Sequence, residues 1–291
     1  MSILCNTETP YSVMSITKAA IGLMYHIHEK DFRRWDLLVH DGNVLCSVGG
    51  ALNMMTGYGD DQWDFDDYRK QVESSQKRTD LEMYTKQKLA EAEQAISWRY
   101  NNLAYQLLAS NMPDVAERFG QFMGDKAGDL KKETHTLEYK VNGEHKVERY
   151  DVWFKGGKSW KWEHTSAGEP LGPHGLWMTP SFSKDLGEKA RKHFYMARGE
   201  RIQIPVSRGW RNYITESKMK QYWNGWWFSD RCTYAIGNQC QIIAITPRDV
   251  QVQIHKMNWL DPLTDEKNWE KEEWFFIDRI EEQFKIGKLT F

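Results

Sequence analysis

The 291-residue chain has little cysteine and almost no net charge. Cys5, Cys46, Cys232 and Cys240 are too few and too scattered for a disulfide scaffold. A chain this long buries enough surface to need no such staple, so reduced thiols in a cytoplasm are expected. A formal net charge of −2 supplies no bulk field to recruit nucleic acid or an anionic membrane. No apolar run approaches the roughly 20 residues of a membrane span. The opening MSILCNTETPYSVMS lacks the basic segment and apolar core of a signal peptide.

Familiar site spacings are missing too. H-E-x-x-H does not occur, and His26 and His28, two residues apart, do not share a helix face. His164 and His174 flank a Gly/Pro-rich loop and read as solvated, so no metal site is expected. FKGGKSW, residues 154–160, lacks the first glycine of a phosphate loop. The acidic run Asp60, Asp61, Asp64, Asp66 and Asp67 lacks the glycine and terminal glutamate of an EF-hand. It reads as the start of a helix, where carboxylates oppose the positive end of the dipole. No motif in this reading fixes a reaction.

What is present is organisation. Residues 15–35 place Ile16, Ala19, Ala20, Leu23, Met24 and Ile27 at helical spacing, with Ser15 or Thr17 as a cap. Asp41-Gly42 marks a hairpin, and Gly49, Gly50 and Ala51 allow a close approach or open another helix. A charged helical pattern runs from Asp67 to about Ser110, and a shorter helix from Pro113 ends near Gly124. After Gly128 the grammar turns to strands, with Asn142-Gly143 as a hairpin turn. Residues 156–175 read as loop and 182–199 as helix. Residues 200–210 and 239–257 read as strands, and 268–286 as a closing helix. Gly237-Asn238 reads as a two-residue turn that sets Cys240 opposite Ala235 and Cys232 opposite Ile243, so the two thiols face apart. The fold class is therefore α+β: a helical domain over 1–128, then a β-rich, Trp-rich domain over 129–291 with a C-terminal helix.

Of 14 tryptophans, Trp35, Trp63 and Trp98 lie before residue 150 and the rest after it. QYWNGWWF, residues 221–228, concentrates Trp223, Trp226 and Trp227 around Gly225. Adjacent Trp226 and Trp227 point to opposite faces of a strand, and Asn224-Gly225 favours a turn. These three, with Phe228 and Trp210, are the expected interface residues, since exposed indoles anchor protein contacts. Lys155, Lys158, Lys161, Arg208, Arg211 and Arg231 lie among the aromatics, a mixture suited to single-stranded nucleic acid. Asp151, Glu163, Glu169 and Asp230 dilute that field.

Two resemblances complete the reading. The density of Trp, Met and Tyr without a housekeeping motif is similar to accessory proteins of bacteriophages, several of which inhibit host defence enzymes by stoichiometric binding. This implies a non-catalytic inhibitor of a host defence complex, self-associating, in the host cytoplasm, with a protein partner and no cofactor. GPHGLWMTPSFSKDLGEKARKHF, residues 172–194, resembles the middle of ADP-ribosyltransferase folds. That implies an NAD pocket braced by His174, Thr179, Ser181 and Ser183, although the family's Glu-x-Glu has no counterpart in QCQIIAITP. A nucleic-acid-binding accessory protein is the third reading.

Overall fold

The computed structural model describes residues 9–28, 30–31, 33, 36–59, 64–91, 98–112, 114–141, 144–195, 221–229, 232–238, 241–254, 277, 279–280 and 282. The fold is α+β, with helices concentrated early and strands late, as expected. In chain order, β1 (Tyr11–Ser12) leads into α1 (Ile16–Ile27). The ribbon β2 (Leu37–His40) and β3 (Asn43–Ser47) follows, then α2 (Val48–Leu52), α3 (Phe65–Ser74), α4 (Asp80–Ala90), α5 (Asn102–Asn111) and α6 (Val115–Met123). Strands β4 (Lys131–Val141), β5 (Glu144–Gly156), β6 (Trp160–His164) and β7 (Leu176–Met178) precede α7 (Pro180–Phe194). The chain continues through β8 (Gln221–Trp223), β9 (Trp226–Phe228), β10 (Thr233–Gly237), β11 (Gln241–Ile245) and β12 (Val250–Gln253). One antiparallel sheet is ordered β1-β7-β6-β5-β4, the other β12-β11-β10-β9-β8.

Helix α1 lies where these layers meet. Residues Ile16–Tyr25 are all buried, as befits a helix enclosed on every side. It packs against α5, α6 and strands β9–β11. The approach to the β8–β9 turn is close. A side chain on Gly22 would overlap the Asn224 carbonyl, and one on Gly225 would overlap the Lys18 carbonyl. Asn224 and Gly225 both adopt positive φ, 49° and 85°, the conformation of a tight two-residue hairpin. The Trp226 indole N–H donates to the Ala19 carbonyl at 3.1 Å and ties the hairpin to the helix.

Several expectations need correction. The helical pattern from Asp67 to Ser110 is three helices. The Asp80 carboxylate accepts from the Gln76 and Lys77 amides at 2.8 Å each, and the Asn101 side chain caps α5 through the Ala104 amide at 3.0 Å. Such local bonds compete with helix continuation. Residues 160–164, read as loop, form β6, whose Trp160 and Trp162 are fully buried. The β10–β11 register pairs Ala235 with Ile243 and Gly237 with Gln241, so Gly237 is the last residue of β10 and not part of the turn. The register is displaced by three residues from the expected one, so Ile243 faces Ala235 and not Cys232. Cys232 is buried; Cys240, residues 200–210 and most of 268–286 lie outside the described residues. One core cluster unites residues from both sides of residue 128.

Replacing Gly22 with alanine is expected to lower stability by about 1–3 kcal/mol or more, because the Asn224 carbonyl belongs to a strained turn that cannot easily retreat. Urea unfolding measures this. A Gly22→Ala midpoint equal to wild type contradicts the described packing.

Candidate active site

Ser15 occupies the N-cap position of α1, but its hydroxyl makes no cap bond. It is engaged elsewhere. Lys18, one turn further along the same helix face, places Nζ 2.8 Å from Ser15 Oγ. The Tyr100 hydroxyl donates to the same oxygen at 2.8 Å. Tyr100 reaches this point because it directly precedes the Asn101 cap of α5. Lys18 is only 1% exposed. Its amine also donates to the Pro173 carbonyl at 3.0 Å and lies 5.0 Å from the centre of the Tyr100 ring. A serine hydroxyl, a buried amine and a phenol thus converge at the positive end of a helix dipole.

The backbone around Ser15 is tightly specified. Met14 has φ of 51°, a left-handed conformation costing of order 1 kcal/mol or more for a non-glycine residue. Thr17 Oγ1 donates to the Met14 carbonyl at 2.7 Å and accepts the Leu176 amide at 3.0 Å. From the other side, β10 ends at Gly237, where a side chain would overlap the Val13 carbonyl and stand 3.1 Å from the Ser15 amide. The strand therefore meets the serine through backbone, and the β10 sequence Thr233-Tyr234-Ala235-Ile236-Gly237 offers no cation.

The residues expected from sequence fall elsewhere. Trp223, Trp226 and Phe228 are buried in the chain's own core, and Trp227 is half-buried between two core clusters. An exposed patch built from Trp223, Trp226 and Phe228 is thus corrected. Trp210 lies outside the described residues. Thr179 caps α7 by accepting the Phe182 amide at 3.1 Å, and Ser183 donates to the Thr179 carbonyl at 3.0 Å. Ser181 is exposed on the same helix. His174 is buried, not solvated, with Tyr68 and Phe65 rings centred 5.9 and 6.1 Å away. Burial first, and Lys18 second, push its imidazole down to about 3, so it is neutral beside the amine at ordinary pH.

The residues that do converge were missed for a simple reason. Ser or Thr before an apolar helix reads as a cap, and Tyr100 looks like part of a long charged helix. A signal was nevertheless present: Ser15-Ile16-Thr17-Lys18 has the S-x-x-K spacing that supplies the nucleophile of penicillin-binding proteins and class A β-lactamases.

Comparison by sequence finds no matching family model and no matching curated protein. Comparison by structure does find matches, and what they show is a shared fold. The chain is similar to the penicillin binding protein from Bacillus halodurans, with a TM-score of 0.55 and 14% identity over 85% of this chain and 81% of that one. It is also similar to the putative 6-aminohexanoate-dimer hydrolase from Bacillus anthracis, with a TM-score of 0.54 and 13% identity over 96% of this chain and 74% of that one. These likenesses correct the resemblance to phage accessory proteins and the one to ADP-ribosyltransferases. The readings drawn from them, a non-catalytic inhibitor of host defence and an NAD-dependent transferase, fall with them. The chain keeps the S-x-x-K spacing but carries neither S-D-N nor K-T-G. Among the described residues, no helix is long and apolar enough to cross a membrane.

Glu169 is a second buried polar group. Burial pushes the Glu169 carboxyl up to about 7, against the opposing pull of Ser110 Oγ at 2.6 Å and the Leu81 amide at 3.0 Å. A carboxyl whose folded value is raised contributes stability that is complete below its unfolded value near 4.5 and lost as pH rises through about 7. His164, pushed down to about 4 by burial, acts oppositely and withdraws stability as pH falls below 6.5. Comparison with Glu169→Gln isolates the first effect. Relative to that variant, wild type is expected to lose about 2–3 kcal/mol between pH 5 and pH 8. Parallel denaturant titrations across this range check it, and identical pH slopes contradict the assignment.

Proposed function

We propose that the chain is a serine hydrolase that cleaves a carboxylic ester or amide by acyl transfer through Ser15. One observation carries the reading: at the head of α1, Ser15 Oγ is 2.8 Å from both Lys18 Nζ and the Tyr100 hydroxyl. In its neutral form, the Lys18 amine accepts the Ser15 proton as Oγ attacks the carbonyl carbon. The carbonyl π electrons move to oxygen, and the α1 dipole favours that negative charge. Collapse breaks the bond to the leaving group, which takes its proton from the Lys18 ammonium or from Tyr100 with reprotonation by Lys18. Water then attacks the acyl-Ser15 ester, Lys18 again receiving the proton, and the carboxylic acid leaves with Ser15 Oγ–H restored. The Pro173 carbonyl accepts one N–H of the amine at 3.0 Å and so holds Nζ beside Ser15 Oγ. Because β10 brings no cation to the site, the reading favours substrates held by backbone and apolar contacts over those needing a charged anchor on that strand. The free thiol of Cys46 supports a reducing, cytoplasmic setting.

Hydrolysis of short p-nitrophenyl esters tests the reading. Ser15→Ala is expected to lower kcat/KM by about 10³-fold or more, and Tyr100→Phe by about 10²-fold, with melting curves close to wild type. Full activity in a folded Ser15→Ala variant contradicts it.

A further inference from the structure

The mechanism leaves unexplained what holds the Pro173 carbonyl against Lys18. Pro173 belongs to the connection between β6 and β7, and proline has no N–H with which to anchor itself. The residues just before it are anchored by Gln106 of α5, a side chain with no exposure. Its Oε1 accepts from the Gly172 amide at 2.9 Å and from the Tyr68 hydroxyl at 2.7 Å. Its Nε2 donates to the Pro170 carbonyl and to Ser110 Oγ, both at 3.0 Å. The orientation of the carboxamide is fixed by chemistry, since an amide N–H can only donate and a carbonyl can only accept. All four hydrogen-bonding valences of the group are used. Gly172 lets the segment lie directly on α5, where a side chain would overlap the Tyr105 carbonyl.

We infer that Gln106 is a positioning residue for Lys18, acting through the Pro170–Pro173 backbone that it clamps on both sides. The inference rests on the reading of Ser15 and Lys18 given above. The link is short: Gln106 fixes Pro170 and Gly172, the next residue presents its carbonyl to Nζ, and the amine is thereby aimed at Ser15 Oγ. Three ionisable neighbours complete the surroundings: Tyr68 bonds directly to Gln106, Glu169 bonds to Ser110, and His174 follows Pro173. Misaiming a catalytic base by a fraction of an ångström slows chemistry far more than it weakens binding. A residue that merely stabilised the fold would instead alter the fraction of competent molecules.

A fluorophosphonate probe separates these effects. Ser15 Oγ bonds to phosphorus, fluoride departs, and the hydroxyl proton passes to Lys18. Saturation kinetics give a binding constant KI and a first-order rate kinact for the competent fraction, which is counted by the label incorporated. In folded Gln106→Met, which keeps the length of the side chain but not its hydrogen bonds, kinact is expected to fall about 10–100-fold with KI within about 3-fold of wild type. Should that variant fail to fold, Tyr68→Phe removes one hydrogen bond from the same carboxamide, and kinact is expected to fall about 3-fold or more. An unchanged kinact in whichever variant folds, with wild type labelled at Ser15, overturns the role of Gln106 and leaves the serine hydrolase reading standing. A wild-type chain that is not labelled at Ser15 overturns both.

Discussion

The structure turns on the enclosure of α1. Ile16–Tyr25 are buried without interruption, and the stretch includes Lys18. An amine sealed from solvent must find acceptors or forgo its charge, and the fold supplies them in the first turn: Ser15 Oγ, the Pro173 carbonyl and the face of Tyr100. The same enclosure that strengthens the core thus brings an amine, a hydroxyl and a phenol together. Ser15 itself is only half-buried.

Each surrounding element adds one constraint to that helix. The β8–β9 hairpin is drawn in by Gly22 and Gly225 and fixed by the Trp226 indole. Strand β10 arrives at the Ser15 amide with a glycine, where any side chain would intrude. On the far side, the segment entering α5 contributes Tyr100, and α5 anchors the helix through the Tyr25 hydroxyl, which donates to the Leu108 carbonyl at 2.9 Å. The segment before β7 closes the arrangement through Pro173 and Leu176. Serine, lysine and tyrosine are common residues, and only this packing makes them a site.

The parts of the fold legible in the sequence were those governed by neighbours along the chain. The Asp41-Gly42 and Asn142-Gly143 hairpins, the Gly124 end of α6 and the amphipathic α7 were all readable for that reason. The site was not, because its meaning is non-local: Tyr100 is 85 residues from Ser15. The tryptophans misled for a related reason. Trp226 and Trp227 do point to opposite faces, but each face is covered, by α1 on one side and by Trp98, Ile277 and Ile280 around the other. Alternation along a strand says which residues part company, not whether both faces are buried.

A crystal structure of the chain after exposure to an aryl boronic acid tests the central claim most directly, since boron adds reversibly to an activated serine hydroxyl. The account predicts a single adduct, with boron bonded to Ser15 Oγ and both Lys18 Nζ and the Tyr100 hydroxyl within hydrogen-bonding distance of that oxygen. Boron bound at another residue, or no adduct at Ser15 at saturating boronate, contradicts it.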